Sequence, residues 1–92
     1  MRVTFHRAKR DQTLAERALD FADALHVFAG RTLNVRDRRR DYGEVRVQTV
    51  GYLAGRMVMV VWTPRAGARH IISMRKCNER EQARYRDRLE AP

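Results

Sequence analysis

The run Met57-Val58-Met59-Val60-Val61-Trp62 carries no polar interruption. Unbroken apolar character over a strand length predicts a central strand buried on both faces, placed here at Arg56–Thr63. Its neighbours alternate instead. Glu44–Val50 puts Glu44, Arg46 and Gln48 on one face above a Val45/Val47 core face. In Arg69–Lys76 the same period groups Arg69, Ile71, Ser73 and Arg75, with His70, Ile72, Met74 and Lys76 opposite. Short strands are expected at Arg2–Phe5 and Thr32–Val35, and turns at Gly51–Gly55 and Pro64–Gly67. Arg7–Ala18 has a helical period with Ala8, Leu14, Ala15 and Ala18 inward. Asp20 reads as the N-cap of a second helix, with Asp23 in its first turn. That helix buries Phe21, Ala24, Leu25 and Phe28 and stops at Gly30. Asn78 with Glu81 forms a capping box for a last helix, and Tyr85 packs that helix on the sheet. The predicted fold is α+β: a short first strand, two N-terminal helices, a four-stranded antiparallel meander and a C-terminal helix, in one domain over residues 1–92.

Charge adds a partner class. Twenty Lys and Arg against eleven Asp and Glu leave a net charge of +9, an excess that attracts polyanions, nucleic acid first. Only Lys9 and Lys76 are lysines, and arginine grips phosphate bidentately and stacks on bases. Two strands that aim arginines outward from one sheet make a surface suited to phosphate. The segment from Arg36 to Gly43 is a charged loop, and Arg38–Arg40 would grip phosphates beside such a path. Other classes fall away. The lone Cys77 has no disulfide partner, and three scattered histidines lack ligand spacing, so no metal or cofactor is expected. No apolar run approaches the roughly 20 residues of a membrane span. The start Met1-Arg2-Val3-Thr4-Phe5 has no apolar leader core, which predicts a cytoplasmic protein.

Four segments in order carry a resemblance: Asp41-Tyr42-Gly43-Glu44-Val45-Arg46, Val60-Val61-Trp62-Thr63, Ile71-Ile72-Ser73-Met74-Arg75-Lys76, and Glu79-Arg80-Glu81 with Tyr85. Together they resemble the BrnT family of bacterial type II toxins. The resemblance implies a RelE-like ribonuclease fold and metal-independent RNA cleavage. It also implies a cognate BrnA-like antitoxin with a ribbon-helix-helix DNA-binding part. A 2:2 assembly would then bind operator DNA through the antitoxin. The first helix departs from the family's usual pattern: Lys9 fits its place, whereas Thr13, Arg17 and Ala18 do not.

Metal-free RNA cleavage uses the ribose 2′-OH as nucleophile and needs a base and donors for a phosphorane. On that chemistry, Arg46 and Arg75 are the candidate phosphorane-stabilising cations. Glu44, on the Arg46 face, is the better-placed base, and Lys76 is its rival. Ser73 shares the Arg75 face as a hydrogen-bond donor, while Lys9 and Arg69 are candidates for holding substrate. Tyr42 and Trp62 are candidates for stacking on a base. His70, on the Ile72/Met74 face, reads as a half-buried structural histidine, and Glu81 as a helix cap. The alternative function is a non-catalytic module that binds nucleic acid or an antitoxin.

Overall fold

The computed structural model describes residues Met1–Pro92. β4 (Arg56–Arg65) forms the spine of a five-stranded sheet, with Met57 through Val61 buried without a break. β3 (Val47–Leu53) and β5 (Ala68–Lys76) flank it, both antiparallel to it. β2 (Leu33–Arg36) pairs antiparallel with β3, and β1 (Val3–Phe5) runs parallel to β5, giving the order β1-β5-β4-β3-β2. Both hairpins around β4 close with two residues, Ala54-Gly55 and Ala66-Gly67, all four at positive φ. Turns of this kind match the right-handed strand twist and favour glycine at the second position. The strands therefore run further than the turn residues suggest. Gly51 lies inside β3, where a Cβ would stand 3.0 Å from Val27 Cγ1.

Alternation along the strands separates two cores. On one face Leu19, Phe21, Ala24 and Val27 pack on Val58, Val60, Ile71 and Met74. On the other, α3 (Glu79–Glu90) lays Tyr85 and Leu89, one turn apart, against Val50, Met57, Met59 and Cys77. The Cys77 thiol is free and burial pushes its pKa up to about 11, so it stays protonated near neutrality. No helix is long and apolar enough to cross a membrane.

The capping box of α3 forms as its sequence dictates: Asn78 accepts from Glu81 N, and the Glu81 side chain accepts from Asn78 N, both at 2.9 Å. Removing the first bond with Asn78→Ala should cost about 1 kcal/mol. For a chain of this size the melting temperature should fall by roughly 4–8 °C, readable by circular dichroism.

The N-terminal helices differ from their sequence pattern. α1 (Arg7–Arg17) buries no residue; Ala8, Leu14, Ala15 and Ala18 are all exposed. Polar bonds dock it instead. Arg17 Nη1 donates to the Met74 carbonyl at 3.0 Å, and Arg10 makes a bidentate pair with Asp20 at 2.9 and 2.7 Å. Asp20 does act as a cap, accepting from Ala22 N at 3.0 Å. The second helix opens as a 3₁₀ turn (Phe21–Asp23) before a six-residue α2 (Ala24–Ala29). That change of pitch buries Val27 where the even helical period placed Leu25, which is 41% exposed.

One local irregularity decides the site. Ser73 pairs with Val61 and Ile71 with Trp62, so Ile72 is an extra residue in β5, a β-bulge. The alternation resets there. Arg69 and Ile71 face the N-terminal helices, whereas Ser73 and Arg75 face the α3 side. The expectation that these four share one face is corrected by the bulge. His70, grouped by simple alternation with Met74, instead joins Ser73 and Arg75.

Candidate functional site

α3 covers only part of its sheet face. The rest, called the open strip, is a surface on which β5, β4 and the chain entering β3 present half-exposed polar side chains, with Thr63 and Val61 buried among them. The register sets three rows: Arg75 beside Met59 and Val50, then Ser73 beside Val61 and Gln48, then His70 beside Thr63. Arg46, one residue before the Val47–Trp62 pair, continues the last row. Four residues of β4 separate the Arg75 row from the His70 row, about 13 Å at strand rise.

Glu44 and Arg46 precede β3 rather than lying in it, because the loop from Asp37 to Arg46 has its own polar framework. Asp37 is buried and accepts from Arg39 Nε (2.9 Å) and Nη2 (2.7 Å), and from Tyr42 Oη (3.2 Å). The Arg39 guanidinium holds this carboxyl far below its ordinary range despite the opposing pull of burial. Asp37 N also donates to the Arg46 carbonyl at 2.8 Å, tying both ends of the loop. Tyr42 thus stands fixed, and the Arg46 guanidinium lies 4.0 Å over its ring. Arg46 Nε donates to Glu44 Oε2 and Arg65 Nη2 to Glu44 Oε1, each at 3.3 Å. Burial pushes the Glu44 carboxyl up, but hydrogen bonds from Arg46 and Arg65 outweigh it, and the net shift is downward. Glu44 is an anchored anion that orients two arginines.

At the other end of the strip Arg75 is anchored by Glu81, which accepts from both Nη atoms at 2.7 Å while capping α3. The Arg75 hydrogen bonds lead the shift that lowers the Glu81 pKa to about 2. A depressed carboxylate stabilises the fold above its unfolded pKa and loses that contribution as pH falls through the folded value. The Arg75–Glu81 contribution should therefore be complete above about pH 4.5 and fade toward pH 2. Urea midpoints measured across that range should show the fade for the native chain and lack this component in Glu81→Gln.

The sequence candidates thus divide. Glu44, Arg46, Tyr42, Ser73 and Arg75 belong to the open strip. Lys9 is exposed on α1, near enough for its charge to act on His70. Trp62 and Arg69 lie on the opposite face. There the Arg69 guanidinium lies over both rings of an edge-to-face pair, 4.4 Å from the Phe28 centroid and 4.6 Å from that of Trp62, and Trp62 Nε1 donates to Thr49 Oγ1 at 2.7 Å. Lys76 pairs with Val58 at the far end of β5, on the face opposite Arg75. It lines a cleft of about 380 Å³ with Arg56 and Arg86, away from Glu44. Two strip residues escape the sequence reading. Arg65 reads as part of a turn, and the bulge hides His70; neither carries a motif that would reveal it. No three His, Cys, Asp or Glu side chains stand close enough together to hold a metal ion.

The mixed sheet, its three helices and a face of anchored arginines define a small basic α+β domain. Residues 5–81 match the family model of the ribonuclease toxin BrnT of type II toxin–antitoxin systems. The chain belongs to the BrnT family of ribonuclease toxins. No curated protein matches the chain.

Proposed function

We propose that the chain is a metal-independent endoribonuclease that cuts mRNA through the ribose 2′-OH on the open sheet strip, with a RelE-like arrangement of its fold. The placement of Arg46, held between the Tyr42 ring and Glu44 beside the His70 row, is the observation that carries this reading. In the reaction the 2′-oxygen forms a bond to phosphorus as the bond to the 5′-oxygen breaks. The 2′ proton goes to a base and the 5′-oxygen gains a proton, leaving a 2′,3′-cyclic phosphate and a 5′-OH end. Arginine cannot accept the proton, because its guanidinium stays charged. It can stabilise the phosphorane from a fixed position, at no reorganisation cost during the step. Arg46 takes that role, with Arg75 gripping a phosphate further along the strand, about 13 Å away on the strip. Ser73, between the two, donates to the intervening backbone. Lys9 and the loop arginines extend the phosphate track.

Such a nuclease has to be restrained in its own cell. A BrnA-like antitoxin covering the strip would bury the arginines that grip RNA, in a 2:2 assembly that reaches operator DNA through its ribbon-helix-helix part. The test of function is cleavage of a 5′-labelled RNA by the purified chain in EDTA. Products ending in cyclic phosphate support the reading. RNA binding that weakens steeply with salt, with no cleavage at any chain concentration, would leave a binding module only.

A further inference from the structure

We infer that His70 is the general base of the reaction, with Nδ1–H held by Thr4 and Nε2 left for the substrate. The inference rests on the ribonuclease reading and names the group that reading leaves unassigned.

Three observations place it. First, the β-bulge at Ile72 turns His70 onto the open strip, beside Thr63 and two strand spacings from Arg46, about 10 Å between backbones. A ribose and its phosphate fit across that gap. Second, Thr4 Oγ1 on β1 lies 2.9 Å from Nδ1, and β1 is held in register there by Thr4 pairing with His70 itself. Thr4 accepting from Nδ1–H leaves the Nε2 lone pair available. Third, Nε2 makes no hydrogen bond within the chain, and no buried polar side-chain atom is left unpaired. Nε2 is therefore not sealed in the interior, and a substrate hydroxyl is its natural partner.

The charged surroundings favour a neutral ring. Burial lowers the His70 pKa, and Arg65 on β4 and Lys9 and His6 at the start of α1 add to that; Glu44 opposes. A neutral imidazole accepts a proton near neutral pH, which the depressed Glu44 carboxylate does poorly. His70 takes the proton from the 2′-OH as the 2′-oxygen bonds to phosphorus. The resulting imidazolium can return a proton to the departing 5′-oxygen. Glu44, on the raising side of the balance, steadies that imidazolium.

The test compares single-turnover cleavage of a labelled RNA across pH 4.5–8 for native chain, His70→Gln, Thr4→Val and Thr4→Ser, with affinity for an uncleavable 2′-deoxy RNA measured alongside. The native rate should rise with pH along a limb whose midpoint lies below 6.5. His70→Gln should lose about 10²–10⁴-fold in rate and lose that limb, with affinity for the deoxy RNA unchanged. Thr4→Val should lower the rate and move the limb, and Thr4→Ser should restore both. A His70→Gln chain that keeps the native rate and acid limb would overturn the assignment while leaving the ribonuclease reading intact. A Thr4→Val chain indistinguishable from native would remove the orienting bond from the account. Absence of cleavage by the native chain would overturn the ribonuclease reading, and the assignment with it.

Discussion

Arg46→Ala is expected to lower the rate of RNA cleavage by on the order of 10²–10³-fold, the typical cost of losing one preorganised donor to a developing oxyanion. The guanidinium is fixed before substrate arrives, stacked on Tyr42 and hydrogen-bonded to Glu44. Tyr42 is itself fixed through Asp37 and Arg39. Its alignment therefore requires no ordering during the reaction. Losing one phosphate contact should also reduce the slope of binding against salt by about one ion, a much smaller effect than the loss of rate. Arg46→Lys should recover little, because an ammonium offers neither the planar stack on Tyr42 nor the fork toward Glu44 and phosphate together. Single-turnover rates and affinity for a 2′-deoxy RNA, measured on the same variants, separate the two effects. Equal losses in affinity and rate would make Arg46 a simple anchor.

The largest effect on stability should come from Phe21→Ala, which should cost about 3–5 kcal/mol. Phe21 is fully buried, meets Phe5 of β1 edge-to-face at 6.1 Å, and joins the first 3₁₀ turn to the sheet. No buried residue of α1 shares that load, since α1 has none. A chain of 92 residues has a total stability of roughly 5–15 kcal/mol, so this single truncation would remove a large part of it. Urea unfolding should show a much lower midpoint with an unchanged slope. Phe21 lies on the sheet face opposite the open strip, so the fraction still folded should retain RNA cleavage.

What the sequence reveals and what it hides differ for physical reasons. The unbroken apolar run of β4 can only be satisfied between two cores, so its place is plain from the residues alone. The Asn78/Glu81 box is a local motif with a local geometry, and it forms as read. Gly55 and Gly67 mark both hairpins, although pairing continues up to the two central residues of each. The bulge at Ile72 has no such mark. Ile-Ile-Ser suits a strand with or without an extra residue, yet that residue decides whether His70 faces the open strip. α1 misleads in another way: its alanines and Leu14 have helical spacing, but Arg17 and Arg10 dock it through polar bonds that periodicity does not show. Two-residue spacing pairs Glu44 and Arg46 correctly, though a loop built around buried Asp37 holds them, not a strand. Arg69 and Trp62 lie on the sheet face opposite Arg46 and Arg75, which residue type does not reveal. Their stack with Phe28 depends on α2, a contact distant in sequence.

The most direct test of 2′-OH chemistry on this sheet is a pair of matched labelled RNAs, one all-ribose and one with a single 2′-deoxy sugar at the cut position, treated with the chain in EDTA. The account predicts that the all-ribose strand is cut there to a cyclic phosphate and a 5′-OH, while the deoxy linkage stays intact. Cleavage at the deoxy linkage, or no cleavage of either strand, would contradict it.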